Sequence, residues 1–160
     1  MLHIENPEYY TITLTVNGKE LEKSVPSHMR LLDLLRNELH FTGAKEVCSE
    51  GECGACTIFM DSKTVNSCLI LAVEADKSEI ITIEGFPKEN SLTELQQEFI
   101  DHHSVQCGYC IPGMVLSGEQ ILKDHENPDR MEIKKELSGN ICRCTGYHKI
   151  VDAIEHAGHK

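Results

Sequence analysis

The chain has 160 residues, a formal net charge of −11, 40% apolar and 26% charged residues; that length and balance predict one large or two small folded domains rather than disorder. The acidity excludes nucleic acid as a partner, since a phosphate backbone requires a basic face, and suits docking to a basic patch on another protein. No stretch approaches the roughly 18 apolar residues of a membrane span, and the opening MLHIENPEYY is too polar for a secretory signal, so a cytoplasmic protein is expected.

Taken in chain order, Tyr10 to Val16 alternates β-formers with apolar residues, Asn17-Gly18 is a strong turn signal, and Lys19 to Val25 returns as the second strand of a hairpin. An amphipathic helix is predicted over Arg30 to Leu39, with Leu31, Leu32, Leu34, Leu35 and Leu39 on or near one face. Thr42 to Cys56 is rich in Gly and Cys and reads as a loop. A second hairpin follows, Cys56 to Met60 and Val65 to Ala72 around Asp61-Ser62-Lys63, and a last strand runs from Ile80 to Ile83. That order, ββαβββ, predicts a small mixed sheet with one helix packed on it.

Glu84 to Asn90 reads as a linker, and everything beyond it reads as helical. Ser91 with Glu94 offers a capping box for a helix over Leu92 to His102. Pro112 opens a second helix reaching about Asp124, Pro128 leads to a third over Met131 to Leu137, and Tyr147 to Ala157 is a fourth. The expected organisation is α+β: a sheet domain over residues 1–84 and an all-α domain over residues 85–160, each with four cysteines.

Eight cysteines in a chain without an export signal point to metal or catalysis rather than disulfides. Cys48, Cys53 and Cys56 have the spacing C-x4-C-x2-C, and Cys68 follows after eleven residues. This is the plant-type ferredoxin spacing of a 2Fe–2S site. Three thiolates converge from one short loop, and Gly51 and Gly54 let the backbone pass close to the sulfurs. A zinc site is the alternative, but zinc ligands usually come as two knuckles of two. The second set is Cys107 and Cys110, then Cys142 and Cys144. Taken alone it leaves cluster and zinc both open; beside the first set the cluster reading gains weight. Cysteines at helix N-termini would also gain from the helix dipole. Two oxidised clusters of about −2 each would take the chain to roughly −15. Glu46, Glu50 and Glu52 crowd the first loop with Lys45 the cation near them, while Arg143 stands between two ligands of the second.

The motifs GAKEVCSEGECGACTI (Gly43 to Ile58), QCGYCIPGM (Gln106 to Met114) and GNICRCTGY (Gly139 to Tyr147) together closely resemble the iron–sulfur subunit of the xanthine dehydrogenase, or molybdenum hydroxylase, family. The resemblance spans nearly the whole chain. It implies an N-terminal β-grasp, ferredoxin-like domain and a C-terminal four-helix bundle, each with one 2Fe–2S cluster. It also implies two partners, a molybdopterin-binding large subunit and an FAD-binding subunit. Electrons would leave substrate at molybdenum, cross the C-terminal and then the N-terminal cluster, and reach FAD. By the same resemblance Gln106 and Cys144 lie against the pterin, and the holoenzyme's substrate would be an N-heterocycle such as a purine. The sequence departs from many members in carrying Val47 and Ser49 in place of glycine, and Ile111 in place of threonine.

The remaining residues add no second chemistry. With four cysteines in each set no histidine is needed for a Rieske-type site, and His102-His103 reads as a solvated helix end. His148, His156 and His159 read as surface. All eight thiols are allotted, so no catalytic residue is expected, and neither a P-loop nor a dinucleotide fingerprint is present. Two other readings remain at this point: a free-standing two-cluster ferredoxin-type carrier, and a zinc-stabilised interaction module.

Overall fold

The computed structural model describes residues 8–86 and 91–159. Strands β1 (Tyr9–Val16) and β2 (Lys19–Pro26) pair antiparallel around a turn in which Asn17 and Gly18 both take positive φ, 52° and 78°. That is the left-handed pair an Asn-Gly hairpin turn requires. Alternation along β1 sends Ile12, Leu14 and Val16 into the core. Strands β3 (Thr57–Met60), β4 (Lys63–Asn66) and β5 (Glu79–Ile81) complete one five-stranded sheet in the order β2-β1-β5-β3-β4. β5 runs parallel to β1 and antiparallel to β3, so the last strand is inserted between the two hairpins.

Helix α1 (Leu31–Asp33) is a single α turn that widens into a π turn over Leu34–Glu38, with Leu39 N–H donating to Leu34 C=O at 3.0 Å. The expected ten-residue α-helix is therefore replaced by two kinds of turn. Leu31, Leu32, Leu34 and Leu35 are nevertheless all buried against the sheet, with Ile58, Ala72 and Ile80. The second hairpin is also shorter than expected. β4 ends at Asn66, and Cys68 lies beyond it in a turn leading to a 3-10 segment, Ala72–Ala75. β5 ends at Ile81 rather than Ile83, where a second 3-10 turn, Ile83–Gly85, begins. Glu84 is part of the fold: its carboxylate accepts from Gly43 N–H at 2.6 Å. The remainder of the expected linker, 87–90, lies outside the described residues.

The second half is helical, with α2 (Glu94–Asp101), α3 (Ile111–Asp124), α4 (Arg130–Glu136) and α5 (His148–Gly158). The capping box of α2 sits two residues later than expected. Thr93, not Ser91, accepts from Gln96 N–H at 3.1 Å, and the Gln96 side chain accepts from Thr93 N–H at 3.1 Å. Burial decides between these registers: Leu95 and Phe99 are 1% and 2% exposed, whereas Leu92 is 54% exposed. Asp129 caps α4 by accepting from Met131 and Glu132 N–H at 2.7 and 2.9 Å. Leu95, Phe99, Met114, Ile133, Leu137, Ile150 and Ile154 form the second core. Among the described residues no helix is long and apolar enough to cross a membrane.

Candidate metal centres

The loop between α1 and β3 holds Cys48, Cys53 and Cys56 in irregular backbone. Gly51 and Gly54 take φ of 78° and 66°, so both expected glycine turns are used. Ser49 takes φ of 59° as well, a conformation that costs a non-glycine residue about 1–2 kcal/mol. Ser49 is one of the two positions near Cys48 where the resemblance implied glycine. Its hydroxyl donates to Glu46 at 2.8 Å, a local bond that helps hold the turn. Cys68 is brought to this loop by Ser67, whose N–H and hydroxyl both reach the Cys56 carbonyl, at 3.3 and 2.8 Å.

The second set converges from two chain segments. Cys110 is the N-cap of α3, and Cys107 stands one turn ahead of it on a backbone opened by Gly108, φ 82°. Cys142 and Cys144 follow a 3-10 turn, Leu137–Gly139, and precede α5. Of the four, Cys110 alone stands at a helix start. Tyr147, one residue before α5, adopts φ of 68°, and its hydroxyl accepts from Cys142 N–H at 2.9 Å. A left-handed aromatic residue needs such an anchor.

The eight thiols are arranged two by two. Cys48 interacts with Cys53 and Cys56 with Cys68 in the first set. In the second, Cys110 interacts with Cys142, and the sulfurs of Cys107 and Cys144 are 3.6 Å apart. A tetrahedral zinc site would bring all four sulfurs of a set within about 3.8 Å of each other, given Zn–S bonds near 2.3 Å. Among the described residues, however, Glu98, His102 and His156 are the only trio of such side chains whose donor atoms all lie within 4.8 Å. Two separated pairs are what a binuclear cluster needs, one pair per iron.

Hydrogen bonds and burial treat the thiols unequally. The Glu50 N–H, 3.4 Å from its sulfur, and the Cys53 thiol bring Cys48 down to about 7. Burial pushes Cys56 up to about 11 and Cys110 up to about 12. Burial opposes the Cys142 thiolate too. The Thr145 hydroxyl at 3.1 Å and the N–H groups of Cys144 and Thr145 nonetheless hold Cys142 below the ordinary thiol value. Cys144 is raised by its bond to Cys107. The buried members would ionise once cations replaced their protons, and two ferric ions per quartet would supply that charge. Iron would exchange electrons one at a time at each site.

The two sets adjoin. A cavity of about 200 Å³ is lined by Cys53 from the first and by Cys107, Cys110, Cys142, Arg143 and Cys144 from the second. Ile141 N–H donates to Cys53 C=O at 2.9 Å, directly joining the two cysteine loops. Beside it, buried Asn140 donates to Gly54 C=O at 3.2 Å and accepts from the Ser117 hydroxyl at 2.8 Å. A Cβ at Gly54 would lie 2.5 Å from Gly139 C=O, and one at Gly113 would collide with Gly54 C=O. Tyr109 adds a bond from its hydroxyl to Glu46 C=O at 3.2 Å. Arg30 is a further residue the sequence did not signal. It pairs with Glu46 at 2.7 Å, so Lys45 is not the sole cation beside the first loop's carboxylates. Cys107 and Cys144 are exposed, as are Gln106 and Ile141.

Residues 14–82 match the 2Fe-2S iron-sulfur cluster binding domain model and residues 82–155 match the [2Fe-2S] binding domain model. The chain is 46% identical to the nicotinate dehydrogenase small FeS subunit of Eubacterium barkeri, over 92% of this chain and 94% of that one. The chain belongs to the small iron–sulfur subunits of the molybdenum hydroxylase family. It is also 41% identical to the aldehyde oxidoreductase iron-sulfur-binding subunit of Escherichia coli O157:H7, covering 94% of this chain and 72% of that one. Among solved structures, a chain of quinoline 2-oxidoreductase from Pseudomonas putida 86 superposes with a TM-score of 0.88 and 43% identity, over 92% and 91% of the two chains. As a family member this chain has a sheet domain and a helical domain, each a 2Fe–2S domain, and acts as an electron-transfer component of an oxidoreductase complex.

Proposed function

We propose that Cys48, Cys53, Cys56 and Cys68 ligate one 2Fe–2S cluster and Cys107, Cys110, Cys142 and Cys144 the other. On this reading the chain relays single electrons between a molybdopterin-binding large subunit and an FAD-binding subunit. The observation that carries the proposal is the two-by-two grouping of the eight thiols, with Cys53 of the first quartet sharing one cavity with all four of the second. Electrons enter at the second cluster, whose Cys107 and Cys144 are exposed, and pass to the first, more enclosed by Cys56 and Cys68. Gln106 and Cys144 face the pterin; their exposure on one edge of the second quartet supports that role. A free-standing carrier has less support, because an apolar, cysteine-bearing edge with Tyr109 and Ile141 exposed suits a permanent partner.

The domain boundary falls between residues 84 and 85, near the junction of the two matched models at 82. The first unit is a β-grasp, supported by the inserted parallel strand β5, and the second a four-helix bundle built from α2 to α5. The complex works in the cytoplasm. Its substrate is an N-heterocycle, of which a purine is one instance; the nicotinate and quinoline enzymes are relatives of this chain at 46% and 43% identity. Two variants test the ligand assignment: Cys48→Ser and Cys107→Ser should each abolish a different one of two EPR signals in the reduced protein. Retention of both signals in either variant would overturn it. In the complex purified from its source, adding nicotinate, quinoline or xanthine should bleach the visible iron–sulfur absorbance if the substrate class is right. Bleaching by an aldehyde alone would contradict that class.

A further inference from the structure

Away from the cysteines, α2 and α5 meet at a third cluster of ligating side chains. Glu98 and His102 are one turn apart on α2 and its C-cap, and His156 reaches them from the last turns of α5. His102 Nε2 lies 3.2 Å from Glu98 Oε2, with the side chains 24% and 6% exposed, so His102 is not the solvated helix end its sequence suggested. The His102 and His156 rings stand 4.4 Å apart between centroids and 72° to one another. One donor atom from each of the three residues lies within 4.8 Å of the other two.

We propose that Glu98, His102 and His156 bind a divalent transition-metal ion of the zinc class, clamping α2 to α5. Two ligands each about 2.1 Å from zinc lie about 3.4 Å apart when tetrahedral; the 3.2 Å between His102 and Glu98 meets that span without rebuilding α2. The third donor, within 4.8 Å, closes by rotation of the exposed His156 side chain. Two imidazoles and one carboxylate favour zinc, nickel or copper over magnesium and calcium, which take oxygen ligands. The outward side at His156 leaves a coordination position for water, as in three-residue zinc sites. The ligands bracket the second quartet in sequence, His102 five residues before Cys107 and His156 twelve after Cys144. An ion there fixes the two helices from which those cysteine segments depart.

The test uses the full chain with both clusters loaded and oxidised, dialysed against zinc sulfate, with zinc and iron counted together. One zinc per chain above the cluster iron, with iron unchanged, is expected; magnesium sulfate should give none. His102→Ala and His156→Ala should each weaken zinc binding about tenfold or more, while His103→Ala, on the neighbouring residue, should leave it unchanged. Zinc gained only as iron is lost, no zinc above background, or equal affinity in the wild type, His102→Ala and His156→Ala would overturn the proposal.

Discussion

Replacing Asn140 by alanine tests whether the two cysteine-bearing halves are held in register by buried polar contacts. The amide makes two good bonds, to Gly54 C=O at 3.2 Å and from the Ser117 hydroxyl at 2.8 Å; a third contact, to Thr57 Oγ1 at 3.5 Å, is too long to count for much. Gly54 C=O would keep its bond from the Thr57 hydroxyl at 2.7 Å, so it is not orphaned. Ser117 would lose its acceptor, though a serine inside a helix can turn back to the carbonyl four residues earlier. Two buried bonds at about 1–1.5 kcal/mol each give a loss of about 2–3 kcal/mol. In a chain of this size that corresponds to a midpoint lowered by roughly 5–10 °C. The assay is thermal unfolding of the cluster-loaded chain at fixed scan rate, followed by far-UV circular dichroism and by visible absorbance. Both probes should shift together, because the bond network touches both cysteine loops. Ser117→Ala should add almost nothing in the Asn140→Ala background, since the pair shares one bond. A midpoint within about 1 °C of wild type would refute the reasoning.

Three other perturbations follow from single contacts. In the cluster-free chain, Cys48 should be alkylated by iodoacetamide as pH rises through about 7, while Cys56 waits for pH near 11, as read by mass spectrometry of digests. Alkylation of Cys56 at or before Cys48 would contradict the burial and hydrogen-bond pattern. Tyr147→Phe removes the acceptor of the Cys142 N–H and should cost about 1–2 kcal/mol; the second cluster's EPR line shape should change and the first cluster's should not. Glu119 is raised above the usual carboxylate range by burial, so its proton is bound more tightly in the folded state than in the unfolded one. Stability from this group is therefore present in acid and lost as pH rises past the ordinary carboxylate value. Glu119→Gln should raise the thermal midpoint at pH 7 and lose that advantage near pH 4; an advantage of equal size at both would exclude titration as the cause.

Local chemistry was legible in the sequence wherever a short pattern carries its own physics. Asn17-Gly18 specified a positive-φ hairpin turn, and the glycines between Cys48, Cys53 and Cys56 announced a loop with positive-φ turns at Gly51 and Gly54. Contacts distant in sequence were not. Asn140 and Gly54 are 86 residues apart, and nothing in either motif signals their bond. The same holds for Arg30 and Glu46, which only the fold of α1 against the cysteine loop brings together. The start of α2 was ambiguous because Ser91/Glu94 and Thr93/Gln96 both satisfy a capping pattern, and burial of Leu95 and Phe99 chose the second. The π turn after α1 had no local marker; packing of four leucines against the sheet overrides the α period there. His102 and His156 looked like surface residues separately, and their meeting depends on how α2 packs against α5.

The most direct test of the two-cluster relay is iron and acid-labile sulfide per chain, measured with the EPR spectrum of the dithionite-reduced protein. Two 2Fe–2S clusters predict about four irons, four sulfides and two distinct rhombic signals. About two irons with one signal, or zinc in place of iron at the second quartet, would contradict it.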